Sequence, residues 1–207
     1  MPLYRQLDTP HLRWAIWQYG ESLDELRRML PSDYPDTPSA TGEARLREWL
    51  TVRVLLYRML GVSALVRYAE SGRPRIESLD DPPCVSISHT RGYAAVAVSG
   101  EEVGIDIEYL HPRVERIADR FLSPAELDDV RALPAAERAL QMLLYWSGKE
   151  TVYKRLGRTG VDFRRQLRFH PSPDGIAPMT CDALLPDASH CLSVSFLTTP
   201  DFVLTWA

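Results

Sequence analysis

Trp146-Ser-Gly-Lys-Glu-Thr-Val-Tyr-Lys-Arg-Leu-Gly157 carries two signals at once, one architectural and one chemical. Its last five residues, Tyr153-Lys-Arg-Leu-Gly157, echo Tyr57-Arg-Met-Leu-Gly61 in the first half of the chain. In both, a glycine follows the last apolar residue, the usual way to stop a helix. A second echo links Leu192-Ser-Val-Ser-Phe196 to Val85-Ser-Ile-Ser-His89. Matches that recur after about a hundred residues point to a duplicated unit, although helix ends and apolar strands also look alike by chance. The expected fold is α+β (α/β), with halves at residues 1–100 and 101–207. Each half would be a small, mostly antiparallel sheet on a long helix, with a ligand cleft between the halves.

The flanking sequence fits that plan. The quoted stretch ends a helix expected over 135–156. Upstream, 103–110 reads as a strand, and 113–121 and 124–132 as helices, the latter opened by the capping box Ser123…Glu126. Downstream, 192–196 and 202–206 make a hairpin. In the first half, a strand at 11–19 and a helix at 23–30 precede a Pro/Ser/Asp loop at 31–39. Thr41 can cap a helix over 42–60, where Leu46, Trp49, Leu50, Val54 and Tyr57 keep helical spacing. A short strand at 65–68 and a turn at 71–74 follow. Strands at 85–89 and 93–99 then form a hairpin about Thr90-Arg-Gly92.

Composition narrows the class. With 45% hydrophobic residues and a net charge of −4, the chain reads as globular and not as a general nucleic-acid binder. No apolar run nears the roughly 20 residues that span a bilayer, and no signal peptide is evident. Cys84, Cys181 and Cys191 form neither a CxxC nor an even set, so a reducing cytoplasm is the expected setting. Of 24 basic residues only Lys149 and Lys154 are lysines, and both lie in the quoted stretch. A lysine can give up a proton or cap one phosphate as a point charge, which arginine does less readily.

The chemistry concentrates at two places. In Gly104-Ile-Asp-Ile-Glu108, strand alternation sets Asp106 and Glu108 on one face and Ile105 and Ile107 on the other. Two adjacent carboxylates either face solvent or share a cation, and oxygen ligands of this kind suit Mg²⁺. On the helix, Glu150 and Lys154 are i and i+4 and share a face, as a surface ion pair or as part of a site. Gly148 sits mid-helix, where it costs about 1 kcal/mol relative to Ala, and Lys149 is placed to line the neighbouring wall of the same cleft. Trp146 could anchor the helix. Ser88 and His89 can donate to phosphate oxygens near a hairpin turn, and Gly72-Arg-Pro74 offers a turn with one cation.

In the order Gly-Arg-Pro, Ser-x-Ser-His, Gly-Ile-Asp-Ile-Glu and Trp-Ser-x-Lys-Glu-x-x-x-Lys, these segments resemble the 4′-phosphopantetheinyl transferase superfamily. Its larger, surfactin-synthetase-activating type is a single chain of two pseudo-symmetric halves. The resemblance implies a monomer that moves the phosphopantetheine arm of coenzyme A to a serine of an apo acyl or peptidyl carrier protein, releasing 3′,5′-ADP. It implies Mg²⁺ on Asp106, Glu108 and Glu150, with Glu150 taking the serine proton. Lys154 would stabilise the attacked phosphate or protonate the leaving group. Ser88 and His89 would contact the donor's phosphates, Arg73 and Pro74 its nucleotide, and Arg45 its 3′-phosphate, with Lys149 a supporting donor-binding residue in the cleft wall. The first half would supply nucleotide contacts and the second the metal and catalytic residues. Thr151 departs from the small Ala or Ser usual after Lys-Glu, and Thr90 stands where Ser is common. The first half lacks lysine, so further 3′-phosphate contacts have no counterpart.

Two other readings compete. A metal-dependent nuclease also uses acidic residues and lysine, but its lysine usually follows the second acid on the same strand, where Tyr109 and Leu110 stand here. A non-catalytic module binding coenzyme A or carrier protein would not need the intact acidic set. Arg113, Arg116 and Arg120 form a basic stripe that is a candidate face for an acidic carrier.

Overall fold

The computed structural model describes residues 3–35, 42–170, 172 and 178–207. The chain divides into two compact units, Met1–Val103 and Gly104–Ala207.

In the first unit, β1 (Leu3–Asp8) and β2 (Leu12–Gln18) pair antiparallel, followed by α1 (Leu23–Arg28) and α2 (Glu43–Leu60). The small hairpin β3 (Val66–Tyr68) and β4 (Pro74–Ile76) leads to the hairpin β5 (Cys84–Thr90) and β6 (Tyr93–Ser99). The sheet order is β1-β2-β6-β5. Ala15 and Trp17 of β2, with Val85, Val96 and Val98, pack with Leu50, Val54 and Leu55 of α2. Burying each large side chain there contributes about 1.5–3 kcal/mol. Gly61 ends α2 at φ 72°, the left-handed conformation that costs glycine nothing.

The second unit opens with β7 (Ile105–Tyr109). A 3₁₀ turn (Pro112–Ile117), α3 (Ala118–Phe121), α4 (Pro124–Ala132) and the long α5 (Ala135–Leu156) follow. Then come α6 (Phe163–Gln166), β8 (Leu167–His170), β9 (Met179–Leu184), β10 (Ser189–Thr198) and β11 (Phe202–Trp206), in sheet order β7-β11-β10-β9-β8. Leu143, Tyr145 and Val152 of α5 join Phe121, Phe169, Val194 and Val203 in its core. A strand, a long helix and a closing hairpin whose last strand returns beside the first recur in both units: β2-β6-β5 matches β7-β11-β10.

Two glycines set how closely α5 packs. A Cβ on Gly148 would come within 2.7 Å of the Phe169 ring, so the mid-helix glycine makes room for an aromatic. A Cβ on Gly104 would lie 2.0 Å from the Thr151 carbonyl oxygen, so the chain just before β7 abuts the α5 backbone.

Several elements depart from the sequence reading. The helix expected over 113–121 is 3₁₀ up to Ile117 and α-helical only over α3, with Pro112 at the start of the turn. Gly42 occupies the N-cap position of α2, and Thr41, expected to cap it, lies outside the described residues. Strands β1, β4, β8 and β9 and helix α6 were not expected; all but β1 and β9 are only three or four residues long.

Candidate active site

The carboxylate-bearing face of β7 lies under α5. Lys154 donates to Asp106 Oδ1 at 2.7 Å and to the Ile105 carbonyl at 3.2 Å. The Trp146 indole donates to Glu108 Oε1 at 2.7 Å. Trp146 itself is held edge-on by Phe121, with ring centroids 5.1 Å apart, and tilted against Phe163 at 5.9 Å. One helical turn thus sets Trp146 over Glu108, and two turns later Lys154 over Asp106, with Glu150 between them on the same face.

A buried hydroxyl cluster fixes this register. Thr205, the cross-strand partner of Asp106, has its Oγ1 2.9 Å from Ser147 Oγ and 2.6 Å from Thr151 Oγ1. Ser147 also reaches the Asp106 carbonyl at 3.3 Å, and Thr151 donates to the Thr205 carbonyl at 3.1 Å. All three side chains are buried, where a satisfied hydrogen bond is much cheaper than a lost one. Thr151, the departure from the small residue usual after Lys-Glu, therefore ties α5 to β11.

Crowding the carboxylates shifts their protonation. Burial pushes Glu108 up to about 7, reinforced by the Asp106 charge and opposed by the Trp146 hydrogen bond and Lys154. Burial, then Asp106, also raises Glu150, while Lys154 opposes the shift. Asp106 thus makes both Glu108 and Glu150 harder to ionise, and the three carboxylates form a hard-oxygen set suited to a divalent cation, with Lys154 paired to Asp106. Among the described residues, no group of three or more His, Cys, Asp or Glu is gathered closely enough to hold a metal ion as it stands. The set fits magnesium in ligand type and charge, and closure on a cation requires side-chain movement.

Lys149 is a correction. It is 0% exposed and donates to Glu126 Oε2 at 2.7 Å, the Phe121 carbonyl at 2.8 Å and the Phe163 carbonyl at 2.9 Å. All three N–H groups are used, so it lines no cleft and cannot reach a phosphate. Glu126 is 2% exposed and also accepts from the Ser123 and Phe169 backbone N–H groups. The capping-box glutamate thus doubles as a counter-ion that ties α4, α5 and β8 together. The i,i+4 pattern pointed to Lys154, but nothing local marked the partner of Lys149, 23 residues away.

The first-unit candidates are dispersed. Ser88 is buried in β5, whereas His89 is exposed on the opposite face, with Nδ1 3.5 Å from Glu48 Oε1 of α2. Arg73 pairs with Glu102, Pro74 begins β4, and Arg45 is exposed in the first turn of α2.

Comparison with known families matches residues 102–207 to the 4′-phosphopantetheinyl transferase superfamily. The chain belongs to that superfamily. The match takes in the second unit, with the Asp106–Glu108 strand and the whole of α5. Among individual transferases, the AcpT protein of Salmonella typhimurium is 26% identical over 190 residues, covering 89% of this chain and 97% of the relative. The 4′-phosphopantetheinyl transferase of Bacillus subtilis is 36% identical over 89 residues, 43% of this chain and 39% of the relative. HetI of Nostoc is 34% identical over 94 residues, covering 44% of this chain and 35% of the relative. The matched region thus spans well under half of the Bacillus and Nostoc proteins and nearly all of the Salmonella one.

Proposed function

We propose that the chain transfers the phosphopantetheine arm of coenzyme A to a serine hydroxyl of an apo carrier protein and releases 3′,5′-ADP. The observation that carries this reading is the facing of Glu150 and Lys154 on α5 toward Asp106 and Glu108 on β7, inside the region matched to the superfamily.

In this reading Asp106, Glu108 and Glu150 hold Mg²⁺. When bound, the cation supplies charge neutralisation on the donor's pyrophosphate. Glu150, directly or through a water, takes the proton from the serine Oγ as that oxygen bonds to the pantetheine-side phosphorus. The bond from this phosphorus to the oxygen shared with 3′,5′-ADP breaks, and Lys154 meets the negative charge there or donates a proton to the leaving oxygen. Trp146 fixes the Glu108 carboxylate, and the Ser147–Thr205–Thr151 cluster fixes α5 on the sheet.

Arg45, Arg73, Pro74, Ser88 and His89 serve as nucleotide and phosphate contacts, so residues 1–100 bind the donor and 101–207 carry the chemistry. Repetition of one topology within a single chain favours the larger, surfactin-synthetase-activating type and a monomer. Among the described residues no helix is long and apolar enough to cross a membrane, and all three cysteines are free, which favours a cytoplasmic setting. The deciding experiment is intact-protein mass spectrometry of apo carriers incubated with coenzyme A and Mg²⁺. A gain of one phosphopantetheine supports the reading, and no gain across acyl and peptidyl carriers removes it.

A further inference from the structure

A groove of about 760 Å³ runs between the first turn of α4 and the corner where α6 meets β8, and the chemistry above leaves it unused. Arg164, Arg165 and Arg168 line it, with His170, Ser123 and Asp129 also in its walls. All three arginines are exposed. Arg165 lies 3.7 Å from Asp162, and His170 2.9 Å from Asp182. The guanidinium groups of Arg164 and Arg168 have no carboxylate partner among the described residues. Glu126 and Asp129 share the lining, but Glu126 is paired with Lys149, so among the described residues Arg164 and Arg168 are left as exposed cations without counter-ions at one concavity. A concave, low-dielectric wall focuses such a field and speeds the arrival of an oppositely charged partner.

The groove is close to the proposed active site within its own unit. Its floor includes Phe169 and Glu126, and the Glu126 carboxylate is bonded to Lys149, the residue before Glu150. Phe163, the residue before Arg164, packs against Trp146 at 5.9 Å and Tyr153 at 5.6 Å, and Trp146 holds Glu108. The Phe163 and Trp146 side chains thus link the α6 side of the groove to the Glu108 carboxylate. The buried polar groups of the lining, Ser123 and Glu126, are engaged in the α4 cap and with Lys149, so the remaining solvent-exposed arginines suit a protein surface better than a metabolite.

We propose that this groove docks an acidic segment of the protein substrate, one bearing at least two carboxylates for Arg164 and Arg168. The proposal rests on the transferase reading and adds where the carrier sits. The test is the Arg164→Glu/Arg168→Glu variant of the full chain, assayed with an acidic apo carrier that the unaltered chain modifies. At low salt the carrier KM should rise at least about tenfold, while coenzyme A affinity, read by isothermal titration, stays within about twofold. At about 0.5 M salt the two proteins should converge, because screening removes the attraction that the variant lacks. Replacing two acidic residues of the carrier by lysine should restore the variant's KM in part. The milder Arg164→Gln/Arg168→Gln pair should give an intermediate KM, which covers loss of fold in the reversed pair. An unchanged carrier KM overturns the proposal. So does a KM effect that appears only with Arg113→Glu/Arg116→Glu, a loss of coenzyme A affinity, or binding of single-stranded DNA that the variant abolishes. If the unaltered chain modifies no carrier, the transferase reading fails and this proposal with it. If it does and the variant matches it, the groove alone is wrong.

Discussion

The two units apply one plan to opposite ends. Aligning Gly61 with Gly157 brings Thr51 onto Ser147, Val54 onto Glu150 and Arg58 onto Lys154. Under α2 the sheet offers Ala15 and Trp17, Val54 is fully buried, and Arg58 stacks on the Trp17 ring at 4.9 Å. Under α5 the sheet offers Asp106 and Glu108, and Lys154 bonds a carboxylate instead of covering a ring. The first unit is the helix–sheet interface that packing alone favours. The second accepts crowded, partly buried carboxylates whose ionisation burial opposes, a cost that marks them as a candidate functional site.

The largest effect should come from making the second unit more like the first at Glu150. Glu150→Gln should lower the transfer rate by at least about a thousandfold with the fold intact, and EDTA should reversibly do the same to the unaltered chain. Glu150→Val, which imports the first unit's residue, should melt no lower than the parent. Retention of a tenth of the activity by either variant would remove Glu150 from the chemistry.

Next comes folding. Lys149→Met leaves Glu126 charged and unpaired in the core, which should cost about 3–5 kcal/mol in urea unfolding. A cost below about 1 kcal/mol would mean that the bridge does not brace the second unit.

The two cations test chemistry against packing. Lys154→Arg should lose at least about a hundredfold in kcat while coenzyme A affinity stays within about tenfold. Arg58→Lys, the mirror exchange, should change kcat by no more than about twofold and stability by about 1 kcal/mol or less, the scale of a cation–π contact. Equal losses in the two variants would mean that Lys154 supplies charge alone.

A pH dependence of stability, with no effect on the chemistry, completes the comparison. Glu108 holds its proton up to about 7 in the folded, metal-free protein, against 4.5 as the ordinary value. Between those values the folded state binds more protons than the unfolded one, so stability falls as pH rises and levels off above about 7. Thermal melts in EDTA from pH 4.5 to 8 should show that decline, and Glu108→Gln should reduce it, leaving the part that the raised Glu150 contributes. A flat profile in the parent would place Glu108 in a more open setting.

Legibility in the sequence followed locality. Helix α4 was readable to the residue because Ser123 and Glu126 declare its start, and α5 because Gly157 declares its end. The carboxylate strand and the Glu150/Lys154 pair were readable because period 2 and period 3.6 place side chains without reference to the rest of the fold. What escaped depends on distant partners. Lys149 looked like a ligand until Glu126, Phe121 and Phe163 closed around it. Gly148 reads locally only as a costly mid-helix residue, and the fold makes it a seat for Phe169. Trp146 was read as an anchor, yet its indole N–H also holds Glu108, across 38 residues of sequence.

Gly104 has a consequence for mechanics. Hydroxyl bonds can stretch and side chains can rotate, but the absent Cβ leaves main chain against main chain, so close that a methyl group would sit 2.0 Å from the Thr151 carbonyl oxygen. That contact acts as a gauge block: it sets the clearance between α5 and the carboxylate strand at a single value. Alanine there would act as a shim, prising α5 off β7 and carrying Glu150 and Lys154 away from Asp106 together. Because about 1 Å of misplacement can cost a hundredfold in rate, a residue with no functional group becomes one of the least replaceable in the site.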